Sequence, residues 1–432
     1  MPSNKLSKIF GISSFGESHG PAIGLLIDSP IPNLDFPFEE IKQALNKRKY
    51  KSKHTTARDE SDEIEILSGV FEGKTTGMPL CIIVRNTDHK SADYSAIKDI
   101  FRPGHADFSW FSKYLIHDYR GGGRSSGRET LARVIASKLS ESILGEMEIE
   151  IITLSIGEVE NPCPGSGANA KNPHHWTDEE SYPRLLSYLD EIKEDKDSVG
   201  GVLGVRVTGV PTGLGDPIYE KLSANIAKAM LSIGTVRGIL FGDGERLAKA
   251  KGSEVNDRFL EDGTLTNHHG GILGGISTGQ NIFFELYIRP VSSIGKKQSA
   301  LTKDGEIVQI ELKGRHDSCH IPRIIPVVEA MLKLVLADAV QAQRLIDGSK
   351  QDLAGFRETL DKLDEELLLL LYRRREVVRQ VKEYKRQNSL PKRDMAREEE
   401  IMSRAQEIAK EYELDPELVK ELINITLRIS AK

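Results

Sequence analysis

Apolar residues along this 432-residue chain follow two different periods, and the switch between them divides it. From Phe356 through Leu360, Leu363, Leu367, Leu370, Val377, Val381 and Tyr384 they recur at alternating spacings of four and three, the stripe of one long amphipathic helix. A second helix is predicted from about Arg397 to Tyr412. A third opens with Asp415 as N-cap and Pro416 at its first position. Ahead of this tail, Ile9 to Asp28 reads as strand, loop, strand. DEIEILSGVFEGKTTGMPLCIIVRN, VGGVLGVRVTG and NIFFELYIRP also read as strands broken by glycine turns. GRETLARVIASKL, KLSANIAKAMLSI and IIPVVEAMLKLVLADAV read as helices.

Composition marks the same boundary. Of 38 glycines only Gly355 lies beyond residue 349, and the tail is dense in Leu, Glu, Arg and Lys. The predicted division is a mixed domain over residues 1–348 and an all-helical one over 349–432. Cys81, Cys163 and Cys319 are too few and too scattered for a disulfide framework or a cysteine-based zinc site. No apolar leader segment opens the chain, and its greasiest helix is interrupted by Glu329 and Lys333, so the expectation is a cytoplasmic protein with no membrane partner.

Charge narrows the chemistry. A net charge of −6 excludes a globally basic coat for nucleic acid, yet Lys42 to Arg58 holds seven Lys or Arg and no acidic residue. The stretch lacks the interleaved aromatics of a base-stacking platform, so a small anion is the expected ligand. Arg102 to Thr130 carries the strongest signal. Gly121, Gly122 and Gly123 let backbone amides approach a ligand, and Arg124, Ser125, Ser126 and Arg128 follow where a helix begins. A glycine run alone is usually a turn; the flanking RSSGR makes this one a cradle for phosphate or carboxylate. GESHG, Gly16 to Gly20, places His19 beside Glu17 and Ser18 in a tight loop, suited to acid or base work. RHDSCHIP puts Arg315, His316 and Asp317 together, where a plain ion pair is the simpler reading. ENPCPGSGANAKNPHHWTDEES reads as a surface loop, and its His174 and His175 have no ligand at metal spacing, so no metal site is expected. GGILGG fits either a flat contact with a ring or phosphate, or two glycine bulges in adjacent strands.

GESHG, RPGHAD, RGGGRSS with RET, GDG with GSE, GGILGGIS and GRHD, in this order over residues 5 to 345, resemble the chorismate synthase family. The resemblance implies an α+β fold, helices sandwiched between antiparallel sheets, in a homotetramer that binds reduced FMN. NADPH or an outside reductase would supply the electrons, and the sequence leaves both open. The implied reaction eliminates phosphate from 5-enolpyruvylshikimate-3-phosphate to give chorismate. By the same likeness His19 would protonate the leaving phosphate, His105 would protonate the flavin, and Asp317 would assist proton removal. Flavin contacts would come from Arg124, Ser125, Ser126, Gly234, Thr235, Gly274, Arg289, Pro290, Val291, Ser292, Ser293 and Arg315. Substrate contacts would come from Arg48, Lys53, Arg102 and Arg128. Lys53 stands where an arginine is usual, Arg289 and Val291 replace a lysine and a threonine, and Gly127 replaces an alanine.

The tail alone reads first as a coiled-coil dimerisation module. Against that, Arg374 sits in the apolar seam between Leu370 and Val377, where a cation calls for an anionic partner. The tail resembles an all-α, three-helix chorismate mutase at Arg357, Arg374, Lys385, Asp394, Arg397, Glu398 and Ser430. That likeness gives Lys385 and Arg374 catalytic roles and the other five substrate contacts. Arg357 and Lys385, 28 residues apart on one helix, stand ~42 Å from each other, so a shared ligand requires an antiparallel partner chain. The family's second donor to the ether oxygen falls beyond Lys432 by direct alignment, which predicts a slow mutase. A tail that only dimerises or binds chorismate or an end product is the alternative. A generic nucleotide-binding protein is a third reading.

Overall fold

The structure is a computed structural model that describes residues 4–55, 62–86, 97–116, 118–165, 172–261, 263–312, 316–349, 353–388, 390–391, 395–411 and 414–431. The chain forms two compact units, residues 1–345 and 346–432. In the first unit a five-stranded antiparallel sheet runs in the order β1 (Lys5–Leu6), β2 (Ile12–Gly16), β3 (Ala22–Ile27), β7 (Leu80–Arg85) and β4 (Ile64–Ser68). A hairpin of β5 (Val70–Phe71) and β6 (Lys74–Thr75) joins β4 to β7. The second five-stranded sheet, also antiparallel, runs β10 (Val159–Glu160), β9 (Glu148–Ile156), β11 (Gly201–Thr208), β15 (Ile282–Ile288) and β12 (Val236–Phe241). The smaller pairings are β13 (Ile272–Leu273) with β14 (Ile276–Ser277), and β8 (Ile100–Phe101) with β16 (Gln298–Thr302) and β17 (Ile307–Ile310).

Helices of this unit are α1 (Phe38–Arg48), α2 (Asp107–Tyr114), α3 (Thr130–Leu144), α4 (Tyr182–Glu194), α5 (Leu222–Leu231), the short α6 (Glu245–Lys249) and α7 (Gly252–Val255), and α8 (Ile321–Ser349). One continuous core takes in both sheets, α3 and α8. On β11 and β15 every second residue faces it, Leu203, Val205 and Val207 against Phe284 and Leu286, as the twofold period of a strand requires. In α3 the buried residues Leu131, Val134, Ile135, Ala136, Leu139 and Ile143 cover more than one face, the pattern of a helix enclosed by other layers. Asp338 of α8 ties the end of this unit to its beginning: its carboxylate accepts from the amides of Lys8 (3.1 Å), Ile9 (2.7 Å) and Phe10 (2.9 Å).

The segment read as a surface loop is corrected in part. Trp176 is 1 % exposed and donates Nε1–H to Ser181, and His174 is also buried, because the indole completes the core beside β9. His174 and Trp176 are therefore buried and the rest of Asn172 to Thr177 is partly so, while residues 166–171 lie outside the described residues.

Among the described residues the second unit holds, after the end of α8, the helices α9 (Leu353–Gln387), α10 (Met395–Glu411) and α11 (Pro416–Ala431), with α11 packed on both others. Asp415 caps α11 as expected, its carboxylate accepting from the Glu417 amide at 2.8 Å. Among the described residues here only Ala405 and Ala409 are buried. Across the described residues of both units, no helix is long and apolar enough to cross a membrane.

Candidate active site

One cavity of about 810 Å³ lies in the first unit, large enough for a cofactor with a metabolite. Arg48, Lys49, Arg102, Arg124, Arg128, Arg133, Arg237, Arg289 and Arg323 line it against Asp107, Glu129 and Asp317. Packing so many cations together needs counter-charges, and buried carboxylates behind the wall supply them. Asp62, whose side chain is 1 % exposed, accepts from Arg48 at 3.0 Å and Arg128 at 2.8 Å and lies 3.7 Å from Lys49. Burial pulls the Arg48 guanidinium below its usual range and Asp62 opposes the shift. Asp107, at the first turn of α2, takes a two-pronged bond from Arg102 at 2.7 and 2.9 Å. Glu129 accepts from Ser14 at 2.7 Å and Arg133 at 2.9 Å, with Arg124 3.4 Å away.

The GESHG loop is stapled behind this wall. Asn86, at the end of β7, donates to the carbonyls of Glu17 (3.0 Å) and Gly20 (2.7 Å) and accepts from Arg128 at 2.7 Å. Gly121 has φ +60°, and a Cβ there would stand 2.0 Å from His19 Cε1, so only glycine admits the imidazole. Ser18 Oγ donates to the Gly121 carbonyl at 3.3 Å and sits 3.1 Å from His19 Nδ1; this network puts the ring proton on Nδ1 and leaves Nε2 as the acceptor. Gly104 plays the equivalent part on the opposite side. Its φ is +68°, a Cβ would meet Ser292 Oγ at 2.7 Å, and its carbonyl accepts from Ser292 at 2.8 Å and Arg289 at 3.3 Å. Next to it, His105 gives its Nδ1–H to the Pro103 carbonyl at 2.9 Å. Burial, then Arg102, hold this imidazole below its ordinary proton affinity. Asp317 is met by Arg323 of α8 at 2.9 Å, and Arg323 in turn donates to the Tyr50 carbonyl at 3.2 Å.

Of the residues singled out in the sequence, Arg48, Arg102, His105, Arg124, Ser125, Ser126, Arg128, Gly234, Thr235, Arg289, Val291, Ser292, Ser293 and Asp317 line the cavity. His19 does not; it packs against Gly121, which does. Three others do not line the cavity. Lys53 donates to Asp190 of α4 at 2.6 Å, a carboxylate that also meets His54 at 2.8 Å. Gly274 stands at the turn of the β13–β14 hairpin, with φ +61°, away from the cavity wall. Pro290 is likewise not part of the lining. Arg315 lies outside the described residues. In the second unit Arg374 donates to the Thr426 carbonyl of α11 at 3.3 Å, so its place in the seam is served by a backbone oxygen. Arg397 pairs with Glu400 at 2.5 Å, and Lys385 is half-buried near the end of α9. Asp394 and the side chains of Arg357, Glu398 and Ser430 lie outside the described residues.

Sequence reasoning missed Asp62, Asn86, His320 and Arg323. The first two announce themselves only by what they meet in space. His320 and Arg323 stand in and beside RHDSCHIP, where the run of polar groups ahead of α8 was the available signal.

An α+β sandwich that encloses a cationic cavity, with imidazoles and a carboxylate at its wall, defines an enzyme for a small polyanion. Comparison with known proteins makes this specific. The sequence model of chorismate synthase matches residues 10–341, and that of chorismate mutase type II matches residues 356–432. The chorismate synthase of Flavobacterium psychrophilum is 45% identical over 344 residues, 78% of this chain and 97% of that one. That of Chloroflexus aggregans is 43% identical over 353 residues, 80% and 97%. A solved structure described as a crystal structure of chorismate synthase covers 76% of this chain and 90% of its own, with TM-score 0.56 and 29% identity. The chain belongs to the chorismate synthase family and carries a chorismate mutase type II domain behind it.

Proposed function

We propose that residues 1–348 eliminate phosphate from 5-enolpyruvylshikimate-3-phosphate in the 1,4-anti sense, giving chorismate, with reduced FMN as cofactor, and that residues 349–432 rearrange chorismate to prephenate. The observation that carries the first part is the cavity itself, whose arginines face a substrate bearing two carboxylates and a phosphate. The residues present fit a flavin. Arg48 Nε, Thr235 Oγ1 and Arg289 Nε are buried on its wall with no partner in the chain, and Ile233, Val291, Ile324 and Val327 add apolar surface for a flat ring.

Arg124, Ser125, Ser126, Thr235, Arg289, Ser292 and Ser293 would hold the cofactor. When bound, reduced FMN supplies an electron-rich ring that assists carbon–oxygen cleavage with no net redox change. Arg48, Arg102 and Arg128, fixed in advance by Asp62 and Asp107, orient the substrate's anionic groups. His19, its Nδ1–H held by Ser18, takes up a second proton at Nε2 and as the imidazolium gives that proton to the departing phosphate, and Asp317 holds the proton lost from the substrate ring. His105, with Nδ1 committed to Pro103, carries a second proton at Nε2 only while an anion faces it.

In the second unit, Lys385 and Arg374 would hold a compact conformer of chorismate and stabilise charge on its breaking ether oxygen. Positions 357 and 385 lie on the one helix α9, ~42 Å apart, so Arg357 would reach the site from a second chain. We assign the assembly as a cytoplasmic homotetramer with its mutase domains paired, which acts on small molecules and not on nucleic acid or membranes. NADPH or an outside reductase keeps the flavin reduced. An anaerobic assay with dithionite-reduced FMN, following phosphate, chorismate and prephenate together, tests both activities. Stoichiometric phosphate release and little turnover with oxidised FMN are expected; equal rates with oxidised flavin would sink the synthase mechanism. One observation favours a second reading, in which the tail only dimerises or binds chorismate: Arg374 already has a carbonyl partner and so does not demand a ligand. Chorismate accumulating with no prephenate would select it.

A further inference from the structure

His320 belongs to neither the cofactor cradle nor the substrate arginines. It lines the cavity directly before α8, and its carbonyl accepts the amides of Arg323 and Ile324, which fixes the residue at the helix start. Its Nδ1 is buried with no hydrogen-bond partner in the chain. A buried polar atom left open on the wall of an active site calls for a partner that appears during the reaction. Asp317, three residues earlier, lines the same cavity, and Arg323 from the first turn of α8 grips its carboxylate.

We propose that His320 is a further catalytic residue of the first unit, the base that takes the proton onward from Asp317 after each elimination. This rests on the reading of Asp317 given above. In the elimination a carbon–hydrogen and a carbon–oxygen bond break, the former's electron pair becomes part of the new π system, and phosphate leaves with the latter's. The proton reaches the Asp317 carboxylate and then passes to His320 Nδ1, which restores the carboxylate and gives an imidazolium. The imidazolium loses it to water, so no electrons enter or leave.

The surroundings suit a transient carrier. The charged groups facing His320 are Asp317, Arg323 of α8, Arg48 of α1 and Arg289 after β15. Burial first, and then the three arginines, hold the imidazole below its ordinary proton affinity, while Asp317 pulls the other way. A ring that is neutral at rest and releases a proton readily is what a relay needs.

The test compares the full chain with its His320→Asn, His320→Val and Asp317→Asn variants under anaerobic reduced-FMN conditions. FMN affinity is read by fluorescence titration and chorismate formation over pH, with and without added imidazole. Both His320 variants should bind FMN as the parent does, lose at least about tenfold in kcat with little change in KM, and recover on adding imidazole. His320→Asn keeps a polar group but carries no proton, so parental kcat and pH profile in that variant would overturn the proposal. Loss of rate in a variant that binds FMN normally and gains nothing from imidazole would overturn it too. If the parent forms no chorismate, the proposed function itself fails before any variant is compared. If Asp317→Asn is fully active, the role of Asp317 falls and the relay with it.

Discussion

In residues 1–345, α3 and α8 are apolar on several sides and share one core with two sheets, whereas α9 and α11 of residues 346–432 leave much of their apolar stripe in solvent. Leu370, Val377, Val381 and Tyr384 on α9, and Leu418 and Leu422 on α11, are all exposed. The first unit closes a core, and a site within it, from a single chain. Among the described residues these three helices bury only Ala405 and Ala409, and a second copy laid on the stripe would add apolar burial to offset chain entropy. One enzyme would thus own its site and the other would share it.

The sharpest way to break that contrast is to disable one unit and watch the other. His19→Ala and Asp317→Asn should each slow chorismate formation by roughly 10²–10⁴, the range for acid–base groups, while conversion of added chorismate to prephenate is unchanged. Parallel loss of both activities, measured by absorbance with each substrate, would mean that the units are not independent.

Acid should separate them next. Burial, helped by His54 and His175, holds His174 down at about 4, from an ordinary value near 6.5. Because the folded state binds this proton less well than the unfolded chain, the stability is fully present above about pH 6.5 and is lost as pH falls toward about 4, up to about 3 kcal/mol. The second unit contains no histidine and no tryptophan, so tryptophan fluorescence during urea unfolding follows the first unit alone. A midpoint that does not fall between pH 6.5 and 4.5, or falls equally in His174→Phe, would contradict the assignment.

The smallest effect sharpens the comparison most. Full-length Arg357→Ala and Lys385→Ala chains, each inactive in forming prephenate, should recover roughly a quarter of parental activity when mixed and re-associated, because one intact site forms in each mixed pair. No recovery would place both residues in a site built by one chain. Synthase activity should stay constant throughout.

Much of this molecule was legible along the chain, and what was not has a common cause. Helix α9, the Asp415 cap and the strand–loop–strand around GESHG depend on residues within a few positions of each other, and periodicity or side-chain chemistry reveals them. The cradle at Gly121 to Ser126 was visible because glycine, serine and arginine stand together. Asp62 was not, since its meaning comes from Arg48 and Arg128, which the end of α1 and the turn ahead of α3 bring together from opposite sides in sequence. Trp176 misled for the same reason: a polar, proline-containing context says nothing about the hole that the indole fills beside β9. Lys53 and Gly274 have the right residue types for the site but do not line the cavity: Lys53 pairs with Asp190, and Gly274 turns the β13–β14 hairpin.

The Asp338 carboxylate that gathers the amides of Lys8, Ile9 and Phe10 has a consequence for birth order. On the ribosome, the edge of the first sheet waits for a residue 330 positions later, on the order of half a minute at ordinary elongation rates. Until then the connection between β1 and β2 keeps three amides without this partner. Once Asp338 emerges and α8 docks, those amides are tied down, and the mutase helices are the next residues to appear.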